Sequence, residues 1–153
     1  MGGAGAATGE PWKPYKTLRD SDVEFALVDL PDGAGNAILA TDGQAAAIMV
    51  RRDLPQPDRR CALGHELVHH ERGGTSGLLD VDKEERQVER ITARRLLPDR
   101  YLEQIIAELL DEHDGITAAL VSERTDVTVE YCELRLTELL DATRARHPST
   151  RRR

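Results

Sequence analysis

Cysteine is scarce in these 153 residues: Cys61 and Cys132 are the whole supply, too few for a disulfide framework. Long apolar runs are missing too. None approaches the roughly 20 residues needed to cross a bilayer, which excludes a spanning helix. The opening "MGGAGAATGEPWKPYK" lacks the apolar core of a secretory signal. These absences point to a soluble protein of the reducing cytoplasm with no membrane partner. Acid is absent from the last eleven residues, "TRARHPSTRRR", which hold five arginines; since the whole chain carries −7, the remaining body bears −12. So acidic a body repels a phosphate backbone, which argues against direct nucleic-acid binding by the folded part. The basic end, 143–153, is expected to be a solvated, disordered tail. The Gly-, Ala- and Pro-rich stretch 1–19 is expected to be a loose tail at the other end.

What is present suffices for one modest domain with a real core. Short apolar segments in "VEFALVDL" (23–30), "NAILATDG" (36–43) and "QAAAIMVRRDL" (44–54) are separated by the turn signals Pro31-Asp32-Gly33, Gly35-Asn36 and Asp42-Gly43. They predict a small antiparallel sheet. The pattern then turns helical. Asp58 is a candidate N-cap for a helix running to about Arg72 and stopped by Gly73-Gly74. After a loop, a second helix is expected from Lys83 to Leu97, closed by Pro98. A third follows from Asp99, with Leu102, Ile105, Ile106, Leu109 and Leu110 at helical spacing. Two more are expected over "ITAALVSER" and, behind Thr128, "VEYCELRLTELLDA". The fold class is therefore α+β, a small sheet packed on the first helix and followed by a helical C-terminal bundle.

That first helix contains His65-Glu66-Leu67-Val68-His69. Side chains at i and i+4 share a helix face, about 5 to 6 Å apart at Cβ, so His65 and His69 can converge on one ion. Imidazole nitrogens suit zinc, and two of them leave part of a tetrahedron to fill. Glu66 lies about 100° round the helix, beside such an ion rather than on it, where it can take a proton from water whose pKa zinc has lowered. The plain alternative is a solvated helix that spells the motif by chance. Against it stand Gly64, which weakens the helix with no packing reason visible in the sequence, and the acid-rich segment downstream. His70 is about 140° from His65 and is read as a surface or supporting residue. Cys61 is read as a small buried one. A third ligand preorganised on the second helix leaves Glu84, Glu85 and Glu89 open.

Over Asp53 to Leu139 the chain resembles the ImmA/IrrE family of metallopeptidases, which is similar to gluzincins in using H-E-x-x-H with a later Glu. The resemblance is carried by "RRDLPQPDRRCALGHELVHHERG", by "EERQVERITARRLLP" and by a helical segment ending in "DVTVEYCELRL". It implies that His65, His69 and Glu85 hold Zn2+ and that Glu66 is the catalytic base. Glu89 stands where the family usually has Asn or Asp, and Ile91 near the place of an aromatic. On this reading residues 20–99 form a zincin-like catalytic domain, and 100–142 a helical segment packed on it. The family also implies a substrate: helix-turn-helix transcriptional repressors, inactivated to switch on stress, phage or mobile-element genes. The stretch "ITAALVSERTDVTVEYCELRLTEL" itself reads like a helix-turn-helix, taken here as packing or docking structure.

Two functional classes follow. One is a zinc endopeptidase acting on a regulatory protein. The other is a non-catalytic, zinc-containing module that sequesters a repressor or antitoxin-like partner without cutting it. Glu66 separates them, since a purely structural site has no use for an acid in that place. A third reading, a DNA-binding regulator using the C-terminal helices and arginine tail, would show tight, salt-sensitive DNA binding.

Overall fold

The computed structural model describes residues 9–74 and 80–147. In chain order these form α1 (Pro14–Arg19), β1 (Glu24–Val28), β2 (Ala37–Asp42), β3 (Ala45–Arg51), α2 (Gln56–Glu71), α3 (Val81–Leu96), α4 (Asp99–Glu112), α5 (Ala118–Thr125) and α6 (Val129–Arg146). The α+β architecture follows the sequence pattern.

The sheet is mixed, where an antiparallel one was expected. Its order is β1-β3-β2, with β3 parallel to β1 and antiparallel to β2. The strand with the most buried side chains takes the centre: Ala46, Ile48 and Val50 alternate inward along β3, the period-2 pattern of a half-buried strand. β2 and β3 close through Gly43 and Gln44, with Gly43 at φ +62°, as the primed hairpin turns require. β1 cannot make such a turn. Its connection, residues 29–36, instead passes the end of β3, where the Arg51 guanidinium donates to the carbonyls of Leu30 (2.8 Å) and Gly35 (2.8 Å). That fan of hydrogen bonds holds the connection in the shape that carries the chain to the far edge.

The inner face of the sheet packs on α2, with Ile48 and Val50 against Leu63, Leu67 and Leu18. α2 begins three residues earlier than Asp58 predicts. Pro55 is its N-cap and Asp58 sits in the first turn without a capping bond, still favourably placed for the helix dipole. It ends in a Schellman motif: Gly74 N–H donates to His69 O (2.7 Å) and Gly73 N–H to His70 O (3.1 Å), with both glycines at positive φ. α3 is capped by Asp80, whose carboxylate accepts from Lys83 N at 2.9 Å.

Two expectations about the ends need correction. Within 1–19, residues 9 onward are built into the fold: Leu18 is buried, Trp12 N–H donates to Arg95 O (2.8 Å), and the Trp12 indole donates to Thr17 Oγ1 (2.7 Å). At the other end α6 runs on to Arg146, so the first residues of the basic stretch are helical. Residues 1–8, 75–79 and 148–153 lie outside the described residues.

A second core joins Leu96, Leu97, Leu102, Ile105, Leu109, Val121, Val127 and Cys132. It seats α4 to α6 on α3 and on Cys61 of α2. Leu110, which shares the apolar spacing of α4, is 54% exposed. Arg135 is 3% exposed; it donates to Leu97 O at 2.8 Å and pairs with Asp99, tying the α3–α4 corner to α6. No helix among the described residues is long and apolar enough to cross a membrane.

Candidate active site

One helical turn separates His65 from His69 on α2, and their rings stand edge to face with centroids 4.8 Å apart. Both aim Nε2 at a single carboxylate from α3: Glu85 lies 3.0 Å from His65 Nε2 and 2.6 Å from His69 Nε2. The donor atoms of these three residues all lie within 4.8 Å of one another. Two imidazole nitrogens and a carboxylate oxygen make the donor set that zinc takes at roughly 2.0 to 2.2 Å, so the residues present fit that ion.

Of the three acids left open by spacing, Glu85 is the one brought to both histidines. Glu84 is drawn the other way into a two-point pair with the Arg72 guanidinium, Nη2 to Oε2 at 3.0 Å. Glu89, one turn further along α3, faces the neighbouring cleft. His70 stands outside the cluster, and Cys61 is buried, its thiol pKa raised by burial.

Glu66 stands where two depressions meet. A cleft of about 620 Å³ is lined by His65, Glu66, Glu89 and Tyr131, and a groove of about 310 Å³ by Glu66, His69, Glu85 and the β2 residues Ile38 and Leu39. Burial, reinforced by the nearby Glu85 charge, pushes the Glu66 pKa up to about 7. Burial also lowers the pKa of His65, with Glu85 opposing the shift. A neutral imidazole is the form that ligates a metal, and a carboxyl poised near neutrality is suited to exchanging protons with water.

Two contributors were not singled out in the sequence. Tyr131 of α6 brings its hydroxyl to 3.1 Å from His65 Nδ1, and burial pushes that hydroxyl's pKa above the usual tyrosine range. No local spacing relates it to a residue 66 positions earlier. Trp12 supplies the packing reason for Gly64: a Cβ at Gly64 would meet Trp12 Cζ3 at 3.1 Å and Pro14 Cγ at 3.4 Å. The glycine lets the N-terminal segment lie against α2 directly behind the histidines.

Comparison with curated proteins and with solved structures gives no match. The sequence profile of peptidase family M78, described as the IrrE N-terminal-like domain, matches residues 21–137. That span runs from just before β1 into α6 and takes in His65, Glu66, His69, Glu85 and Tyr131. The chain therefore belongs to this family, the ImmA/IrrE metallopeptidases.

Proposed function

We propose that this protein is a zinc-dependent endopeptidase that cuts a regulatory protein, with a helix-turn-helix transcriptional repressor as the substrate class. The observation that carries the reading is the position of Glu66, beside the His65–His69–Glu85 cluster and open to both the cleft and the groove. His65, His69 and Glu85 would hold the ion. Zinc so held supplies a Lewis acid for the scissile carbonyl and makes water a stronger acid. Glu66 takes the proton of the attacking water and returns it to the departing amine, serving as base and then acid.

The fold also offers a place for the substrate chain. β2 is an edge strand, and its residues Ala37 to Leu39 line the groove next to Glu66. An extended peptide can add to such an edge through main-chain hydrogen bonds, with its alternate side chains supplying specificity. The body charge of −12 outside the last eleven residues attracts a protein with a basic DNA-binding surface and repels the DNA itself.

The test is to incubate the purified protein with a helix-turn-helix repressor encoded beside it, with and without a chelator, and to map fragments by mass spectrometry. Cutting at one or a few sites, abolished by chelation and with little action on casein, is the expected result. A repressor that binds stably but stays intact assigns the chain to the holding class instead. The absence of both cutting and binding rejects the repressor as partner.

A further inference from the structure

With their Nε2 atoms on Glu85, the two histidines turn their Nδ1 atoms away from the cluster, and there the pair ceases to be equivalent. His69 Nδ1 is buried with no hydrogen-bond partner among the described residues. His65, more exposed than His69 at its side chain (19% against 6%), has Tyr131 Oη 3.1 Å from Nδ1. Packing confines the His69 ring. The more open His65 ring has a polar tether.

We propose that Tyr131 is a positioning residue, its hydroxyl fixing the rotation and tautomer of His65 so that Nε2 presents its lone pair to the metal. The proposal rests on the metal reading given above. A hydroxyl is the group the task requires, because the proton on the ring must change places. While His65 Nε2–H donates to Glu85, a neutral ring leaves a bare lone pair on Nδ1, and Tyr131 O–H donates to it. Once a metal takes Nε2, the neutral ring carries its proton on Nδ1, and the same contact runs from Nδ1–H to the tyrosine oxygen. A carboxylate or backbone carbonyl could only accept. Tyr131 can donate in one state and accept in the other without moving.

The anchor is rigid enough for this role. Tyr131 lies in the first turn of α6, next to the fully buried Cys132. Four residues beyond Tyr131 in that helix, Arg135 binds Leu97 O, and further along Glu138 pairs with Arg94 of α3 at 2.6 Å. α6 is thereby fixed to the helix that carries Glu85. The C-terminal segment thus contributes a side chain to the site, beyond covering the core.

Tyr131→Phe removes the hydroxyl and keeps the ring. Zinc competition against a chelating dye is expected to show affinity weaker by about 10- to 100-fold, the usual effect of losing a partner behind a metal-binding histidine, with the metal-free variant still folded. Nitrogen-15 NMR of the imidazoles gives a second readout that packing alone does not move. In the zinc-loaded parent, His65 should carry its proton on Nδ1, slowly exchanging, and in Tyr131→Phe that proton should exchange faster. Parent-like zinc affinity and proton exchange in the variant would overturn the proposal, as would zinc on His65 Nδ1 in the parent. A parent that binds no zinc through His65 overturns the metal reading itself, a result distinguishable from failure of Tyr131 alone.

Discussion

Glu85 reaches two imidazole nitrogens at once, at 3.0 and 2.6 Å, where in the absence of a cation it must share their protons. A zinc ion in place of those protons would be one divalent cation that all three groups could bind, so metal content reads the site directly. Elemental analysis of protein purified without added metal is expected to show one zinc per chain, and His65→Ala or His69→Ala none. Glu85→Ala should weaken zinc binding far more than Glu84→Ala or Glu89→Ala, because Glu84 is held by Arg72 and Glu89 faces the cleft. Equal losses at all three acids would contradict this. The pairing of His65 and His69 was legible because i,i+4 spacing is a property of the helix itself. The choice of Glu85 was not legible from spacing, since neighbouring positions of a second helix differ only in which way they face; the family resemblance alone pointed to it. Nor was Tyr131, whose approach depends on how α6 is seated.

At the scale of elements, α2 is shaped by what lies behind it. Gly64 in mid-helix costs roughly 0.5–1 kcal/mol relative to alanine, and alanine would recover that. Yet the added Cβ would stand 3.1 Å from the Trp12 ring. That ring has little freedom to give: its indole donates to Thr17, its backbone binds Arg95 O, and the Arg95 guanidinium lies 5.3 Å over it. Overpacking of this kind costs about 1–3 kcal/mol, so the clash outweighs the propensity gain. Gly64→Ala is expected to lower the melting temperature by a few degrees, since about 1 kcal/mol corresponds to ~2–4 °C in a domain of this size. A higher melting temperature in thermal unfolding would show that Trp12 yields. The order of helices and strands was readable from apolar periodicity and from Gly and Pro punctuation. Strand partners were not: nothing within "VEFALVDL" distinguishes pairing with β2 from pairing with β3, and the Arg51 contacts that fix the connection are made by a residue more than 15 positions away from it. The N-terminal stretch misled for a related reason, its Gly, Ala and Pro content hiding Trp12 and Leu18 as anchors.

For the whole molecule, the proposed function divides the work of choosing a substrate between charge and cleft. The body charge of −12 acts at long range and chiefly raises the rate of encounter with a basic partner. The groove beside β2 is then the place for selection at contact. Because salt shortens the Debye length from about 10 Å at 0.1 M to about 3 Å at 1 M, repressor cleavage at limiting substrate is expected to slow as ionic strength rises, while zinc stays bound. A rate indifferent to salt would mean that the acidic surface plays no part in recruitment. His65, His69 and Glu85 are proposed to hold the metal while Glu66 moves the proton, and Glu66→Gln separates that binding from that chemistry. Zinc content and cleavage rate should be measured on the same preparation of the variant. The expected result is a folded protein with the parent's zinc content and a rate lower by about 10² to 10⁴; a Glu66→Gln protein that retains zinc and cuts as fast as the parent would contradict it.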